Sequence, residues 1–143
     1  MAANVIACPS CGKKNRVPAV ASGSLRCAVC KASLPWTVDA SDVTFDEIVA
    51  TSLVVIVDLW AAWCGPCRMV APVLDQLAVA HAGVLKVVKV DVDANPALAQ
   101  RFQAQSIPLL LVMTGGQVRE RIVGAQPYAA LDRAVTPFLP ASA

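Results

Sequence analysis

The spacing of the cysteines constrains this chain more than any other feature of its sequence. All six fall into C-x-x-C pairs: Cys8/Cys11, Cys27/Cys30 and Cys64/Cys67. The opening residues, Met1 to Ser10, do not place a basic segment before an apolar one, so no secretory signal is expected. In a chain kept among reducing thiols, paired cysteines point to metal binding or redox catalysis rather than to a framework of structural disulfides.

The third pair sits between an apolar run, Leu53 to Trp60, and a helical pattern from about Pro66 to Ala82. A cysteine at a helix start meets the positive end of the helix dipole and unsatisfied backbone N–H groups, both of which favour the thiolate. The thiolate is the nucleophile in disulfide exchange. Cys67, one turn on, is placed to attack a mixed disulfide formed by Cys64. Pro66 fits the first helical turn, where its missing N–H costs little.

The first two pairs read as a metal module. Fifteen residues separate Cys11 from Cys27, and two tight knuckles of this spacing suit a tetrahedral zinc ion held by Cys8, Cys11, Cys27 and Cys30. Gly12 supplies the positive φ that a knuckle turn requires. A rubredoxin-like iron site fits the same ligand set, and a further reading makes the pairs redox-active themselves. The stretch 1–38 carries Lys13, Lys14, Arg16, Arg26 and Lys31 with no acidic residue, or +5, against −3 for the remainder. The basic residues offset the −2 of a zinc tetrathiolate, or else form a face for an acidic partner. Base stacking has no platform there, which argues against nucleic acid. So small a unit needs its metal to fold.

The rest alternates strand and helix. Strands are expected at Trp36–Val38, Leu53–Trp60, Leu85–Val92, Pro108–Met113 and Gln117–Val123, the last two joined by the Gly115-Gly116 hairpin signal. Helices are expected from Phe45 behind a Thr44-x-x-Glu47 capping box, from Pro66 with Pro72 kinking it, from Pro96 capped by Asn95, and from Pro127 with Leu131, Val135 and Leu139 on one face. This order implies an α/β architecture, a mixed sheet flanked by helices. No apolar run approaches the ~18 residues of a membrane span. Asp58 interrupts the apolar run after five apolar residues, so it is expected buried with a raised pKa, able to take the proton of Cys67.

The stretch Trp60-Ala61-Ala62-Trp63-Cys64-Gly65-Pro66-Cys67, with Pro72, the pair Ile107-Pro108 and Val123-Gly124-Ala125, closely resembles the thioredoxin family. With Cys8-Pro9-Ser10-Cys11-Gly12 and the second knuckle in front, the whole chain resembles the zinc-containing thioredoxin-2 class. The resemblance implies a zinc-ribbon-like module at 1–34 and a thioredoxin domain at 35–143.

It also implies roles. Cys64 attacks, partly exposed at the helix start, and Cys67 resolves; Gly65 and Pro66 set a reducing dithiol. Lys89 is the ionic partner of Asp58. Pro108 is cis opposite the dithiol, and Trp63, Ile107, Val123 and Gly124 line an apolar groove for substrate. Leu109 stands where the family usually has Thr, which is expected to make the groove edge more apolar. Trp60 is read as packing beneath the site.

The function implied is protein dithiol–disulfide exchange in the cytoplasm, reducing disulfides in partner proteins and serving electron transport and redox homeostasis. Recycling by thioredoxin reductase is implied, with NADPH and FAD entering only through that partner, because the chain has no G-x-G-x-x-G motif of its own. The competing class is a binding scaffold whose basic head selects a protein or nucleic-acid partner. Oxidase or isomerase work is disfavoured by the Gly-Pro dipeptide. A Cys–His hydrolase is disfavoured because His81, the only histidine, lies about five turns from Cys64 on one helix.

Overall fold

A computed structural model describes residues 4–140. A two-stranded antiparallel ribbon comes first, β1 (Asn4–Ala7) with β2 (Lys14–Val17). The remaining elements are β3 (Thr37–Asp39), α1 (Phe45–Val49), β4 (Val54–Trp60), α2 (Gly65–Ala80), β5 (Leu85–Asp91), α3 (Pro96–Arg101), β6 (Leu109–Thr114), β7 (Gln117–Val123) and α4 (Tyr128–Val135). They form a five-stranded mixed sheet in the order β3-β5-β4-β6-β7. β3 and β4 run parallel to β5, while β4–β6 and β6–β7 are antiparallel.

β4 lies at the centre of the sheet, and successive side chains enter opposite cores. Val55, Val57 and Leu59 pack with Trp36, Phe45, Ile48 and Leu98 on one side. Val54 and Ile56 pack with Val70, Leu74 and Leu77 of α2 and Leu131 and Val135 of α4 on the other. By the same alternation Asp58 faces the α2 side. β5 divides likewise: Leu85 and Val87 face α2, whereas Val88 and Val90 enter the opposite core. Lys89 therefore shares the side of Asp58, its register partner, and Lys86 takes the other.

The helix starts differ from the sequence expectation. Thr44 makes no capping bond to α1. A reciprocal pair forms one turn earlier, where Ser41 N donates to Thr44 Oγ1 (2.9 Å) and Thr44 N donates to Ser41 Oγ (3.2 Å). Asn95 does not cap α3 with its side chain either. The cap comes from Asp42, whose carboxylate accepts from Ala97 N (3.3 Å) and Leu98 N (2.8 Å), while Asn95 Oδ1 accepts from Asp42 N (2.9 Å). The start of α3 is thus capped from the loop that leads into α1. α2 runs unbroken through Pro72. α4 ends at Val135 and gives way to a 3₁₀ turn at Thr136–Phe138, so Leu139 falls beyond the helix rather than on its face. Trp36 precedes β3 rather than opening it. At the hairpin, Gly115 and Gly116 both take positive φ, +56° and +77°, as a two-residue turn of primed type requires.

The ribbon is not packed separately from the sheet. Val17 and Ala19 belong to the same buried cluster as Trp36, Ile48 and Val88. Trp36 Nε1 donates to Pro18 O at 2.8 Å. Lys86, 1% exposed, donates from Nζ to Ala19 O (2.7 Å) and Ile48 O (2.8 Å) and lies 4.0 Å from the centre of the Trp36 ring. Burial lowers its pKa to about 8.

Candidate redox site and cysteine cluster

Cys64 and Cys67 form a disulfide at the start of α2. Cys64 is the N-cap: its backbone is extended and its sulfur accepts from Cys67 N at 3.2 Å. Gly65 and Pro66 fill the first turn. A Cβ placed at Gly65 would meet nothing within 4 Å, so the space above the disulfide is open. The expectation of a partly exposed Cys64 is corrected here. It is 4% exposed in the disulfide, because Ala61, Trp60, Val92 and Ile107 pack around the two cysteines.

Cys64 Sγ lies 3.8 Å from Ile107 O. The Ile107–Pro108 bond is cis, and Gly124 N donates to Pro108 O at 2.8 Å. Val123 pairs in register with Leu109, beside that proline, and is exposed. Trp63 is exposed, with its indole Nε1 donating to Asp93 Oδ2 at 2.9 Å. Leu109 does not edge a groove as expected. It is fully buried with Leu111 and Met113 in the core on the far side of the sheet.

Asp58 is fully buried, and neither carboxylate oxygen has a hydrogen-bond partner. Its burial is as the apolar run predicts. Lys89 Nζ stands 3.8 Å from Asp58 Oδ2, too far for a hydrogen bond but close enough to act through its charge. Desolvation pushes the carboxyl up to about 6, and Lys89 draws it back only in part. Trp60, read as packing beneath the site, does pack against the cysteines; its Nε1 has no partner, and Lys89 Nζ lies 5.6 Å from its ring centre.

At the other end of the molecule the four remaining cysteine sulfurs lie within 4.8 Å of one another. The close pairs run across the knuckles, Cys8 with Cys30 and Cys11 with Cys27, each at 3.6 Å. Four thiolates held tetrahedrally at a zinc–sulfur distance of ~2.3 Å would stand about 3.8 Å apart, so the donor set fits such an ion. Each knuckle closes alike. Cys8 N donates to Lys13 O and Gly12 N to Cys8 O, both at 2.8 Å; Cys27 N donates to Ala32 O (2.8 Å) and Lys31 N to Cys27 O (3.1 Å). The residue after each second cysteine is left-handed, Gly12 at φ +80° and Lys31 at φ +65°. Sequence reading anticipated the first and missed the second, since lysine carries no such signal. The Cys27 thiol is lowered to about 6 by backbone N–H groups of Cys30 and Val29, against its burial.

Sequence reasoning also missed Asn15 and Lys86. Each is polar, buried and fully partnered. Lys86 was detectable: two lysines three apart in one buried strand must face opposite cores, so both could not pair with Asp58.

The thioredoxin family model matches residues 36–137. The chain belongs to the thioredoxin family. It is 46% identical over 105 residues to a thioredoxin of Mycobacterium bovis, covering 73% of this chain and 90% of that one. Thioredoxin 1 of Nostoc is 45% identical over 100 residues, covering 69% and 94%. A bifunctional thioredoxin reductase/thioredoxin of Mycobacterium leprae is 45% identical over 105 residues, where the match spans 73% of this chain but only 23% of the longer relative. The domain is that of a dithiol–disulfide oxidoreductase, with Cys64–Cys67 as its redox-active disulfide. Among the described residues no helix is long and apolar enough to cross a membrane.

Proposed function

We propose that this thioredoxin works in the cytoplasm as a reductant of disulfides in other proteins, recycled by a thioredoxin reductase that draws electrons from NADPH through FAD. The observation that carries this reading is the Cys64–Cys67 disulfide at a helix N-terminus, in a sheet whose central strand buries an unpartnered carboxylate on the same side. That the Mycobacterium leprae relative is named for both activities in one chain supports a reductase as the partner.

In the reduced protein, Cys64 thiolate attacks one sulfur of the substrate disulfide. A mixed disulfide forms and one substrate thiolate leaves. Asp58 takes the proton of Cys67, and the new thiolate attacks Cys64 Sγ. The second substrate thiol leaves, the Cys64–Cys67 bond forms, and two electrons have passed to the substrate. Ionised Asp58 is the base, and its pKa of about 6 leaves it mostly ionised near neutrality. Lys89 steadies that charge. The groove of Trp63, Ile107, Pro108, Val123 and Gly124 receives an extended segment, whose backbone pairs beside Pro108.

Residues 1–34 form the metal module in this reading, with Cys8, Cys11, Cys27 and Cys30 as ligands, and residues 35–143 the redox domain. Zinc, where bound, supplies a redox-inert tetrahedral crosslink between the knuckles. The test is NADPH consumption coupled through thioredoxin reductase to a protein disulfide. Wild type is expected to turn over and Cys64→Ser to fall to background. No turnover by folded wild type would sink the proposal.

A further inference from the structure

The geometry points to Asn15 as the residue that positions Cys27 for metal, a single side-chain amide holding the two knuckles in register and donating to one ligand sulfur. The inference rests on the reading of the four cysteines as a metal site.

Asn15 lies in β2 and is 8% exposed, although its neighbours Lys14 and Arg16 face solvent. Its amide orientation is fixed by chemistry. Ala28 N, which can only donate, points at Asn15 Oδ1 at 3.0 Å. The NH₂ group must then face the other way, where Nδ2 lies 2.8 Å from Lys13 O and 3.5 Å from Cys27 Sγ. The two amide hydrogens are thus both used, one on the first knuckle and one on a ligand of the second.

Cys27 is the fully buried member of the set, and its sulfur also accepts from Val29 N at 3.4 Å. N–H donors on this thiolate do two things. They fix the orientation of its sulfur within the cluster. They also withdraw negative charge from a site that carries −2 when a divalent ion is bound, in surroundings where water cannot do so. Serine is too short to span the three partners, and glutamine carries an extra methylene into a buried space.

Aspartate is the informative substitute. It keeps the shape and an acceptor for Ala28 N, but it turns the donor shared by Lys13 O and Cys27 Sγ into a charged acceptor. A residue that only stitches the knuckles would weaken binding in both variants, because each loses the bond to Lys13 O, yet would leave the sulfur-to-metal band where it is. A residue that acts on the sulfur moves that band.

The experiment uses the full chain loaded with Co²⁺. Sulfur-to-cobalt charge-transfer absorption reports the thiolates, chelator competition reports affinity, and far-UV circular dichroism reports the fold. Wild type is expected to bind one Co²⁺ with a tetrathiolate spectrum. Asn15→Ala is expected to lose about tenfold in affinity and Asn15→Asp about a hundredfold. Both are expected to shift the charge-transfer band with unchanged dichroism.

Equal affinity and an unshifted band in both variants would overturn the role of Asn15 while leaving the metal site intact. So would a loss of affinity in both variants with an unshifted band, the result expected of a purely structural stitch. A wild type that binds no Co²⁺ would remove the metal reading itself. Should either variant fold poorly, Asn15→Ser, which retains a small polar side chain, is read by its charge-transfer band and by the rate at which chelator strips Co²⁺: a shifted band with faster release supports the role, and an unshifted band or release as slow as wild type overturns it.

Discussion

The two ends of this molecule fold one spacing of cysteines in two ways. In the head, Cys8-Pro9-Ser10-Cys11 and Cys27-Ala28-Val29-Cys30 fold back on themselves, because the next residue, Gly12 or Lys31, turns left-handed. The chain returns to pair with its own first cysteine, and four sulfurs converge between two turns. At the sheet, Cys64-Gly65-Pro66-Cys67 is followed by Arg68 and Met69 in continuing helix. There the second cysteine lies one turn on and is bonded to the first. The proline position matches the outcome. Pro9 directly follows Cys8 in a turn, whereas Pro66 directly precedes Cys67 in the first helical turn. What C-x-x-C does is therefore set less by the pair than by the residue that follows it.

The sharpest way to break this contrast is one serine at each end. Cys64→Ser removes turnover, as proposed above. Cys27→Ser is expected to leave the redox chemistry within about threefold of wild type but to cost about 3 kcal/mol of stability, read as a drop in the thermal midpoint. The cost falls on the whole chain because Val17 and Ala19 share the core with Trp36. A separate early transition, with the main one unmoved, would show the head to be energetically detached.

Asp58→Asn tests the other end. The carboxyl of Asp58 is raised from 3.8 to about 6 in the folded chain. The folded state therefore binds more protons than the unfolded state between those values, and wild type loses stability as pH rises through them. Above about pH 6 the ionised, buried carboxylate costs about 3 kcal/mol at most. The asparagine variant is expected to be more stable by up to that amount at pH 8, with the difference vanishing below pH 3.8. Its resolving step is expected to slow by about a hundredfold. Chemical denaturation across pH and mixed-disulfide lifetimes check the two halves.

Lys86→Met removes the cation between the regions. Ala19 O and Ile48 O lose their donor, and a loss of about 2 kcal/mol is expected with turnover unchanged. Lys86 has its pKa lowered from 10.5 to about 8, so the unfolded state binds more protons in that window. Wild-type stability should gain from this residue as pH rises from about 8 to 10.5, a slope absent in the variant. The smallest effect belongs to Gly65→Ala. Nothing within 4 Å meets the added methyl, so the midpoint is expected to move by no more than about 1 kcal/mol, with any larger change confined to the KM of bulky substrates.

Much of the sheet and the redox site was legible because single residues announced it. Asp58 in an apolar run, Pro66 inside the dithiol and the paired glycines of the hairpin each have one dominant physical reading. The misreadings share a cause. Ser41, Thr44, Asp42 and Asn95 are all good capping residues, and which of them caps which helix is decided by the contact between α1 and α3, which no local pattern encodes. Leu109 looked like a groove residue from its neighbour Pro108, but strand alternation sends it through the sheet to the far core. Asn15 looks like a surface residue in sequence, between Lys14 and Arg16, and is buried only when the second knuckle folds against β2. Lys86 stands among apolar residues, but the partners of its ammonium are settled only when the ribbon meets the sheet.

That meeting has a consequence for how the chain can be cut and rejoined. The boundary proposed at 34/35 would divide a metal module from a redox domain, yet the core runs straight across it through Val17, Ala19, Trp36 and the ammonium of Lys86. Deleting the head would uncover an indole and strand a buried cation facing solvent. Grafting the head onto another sheet would fail unless the recipient supplied the same lysine and tryptophan. The cysteine module is thus no interchangeable cassette. Wherever such a head is joined to such a sheet, a positive charge at the position of Lys86 should travel with it.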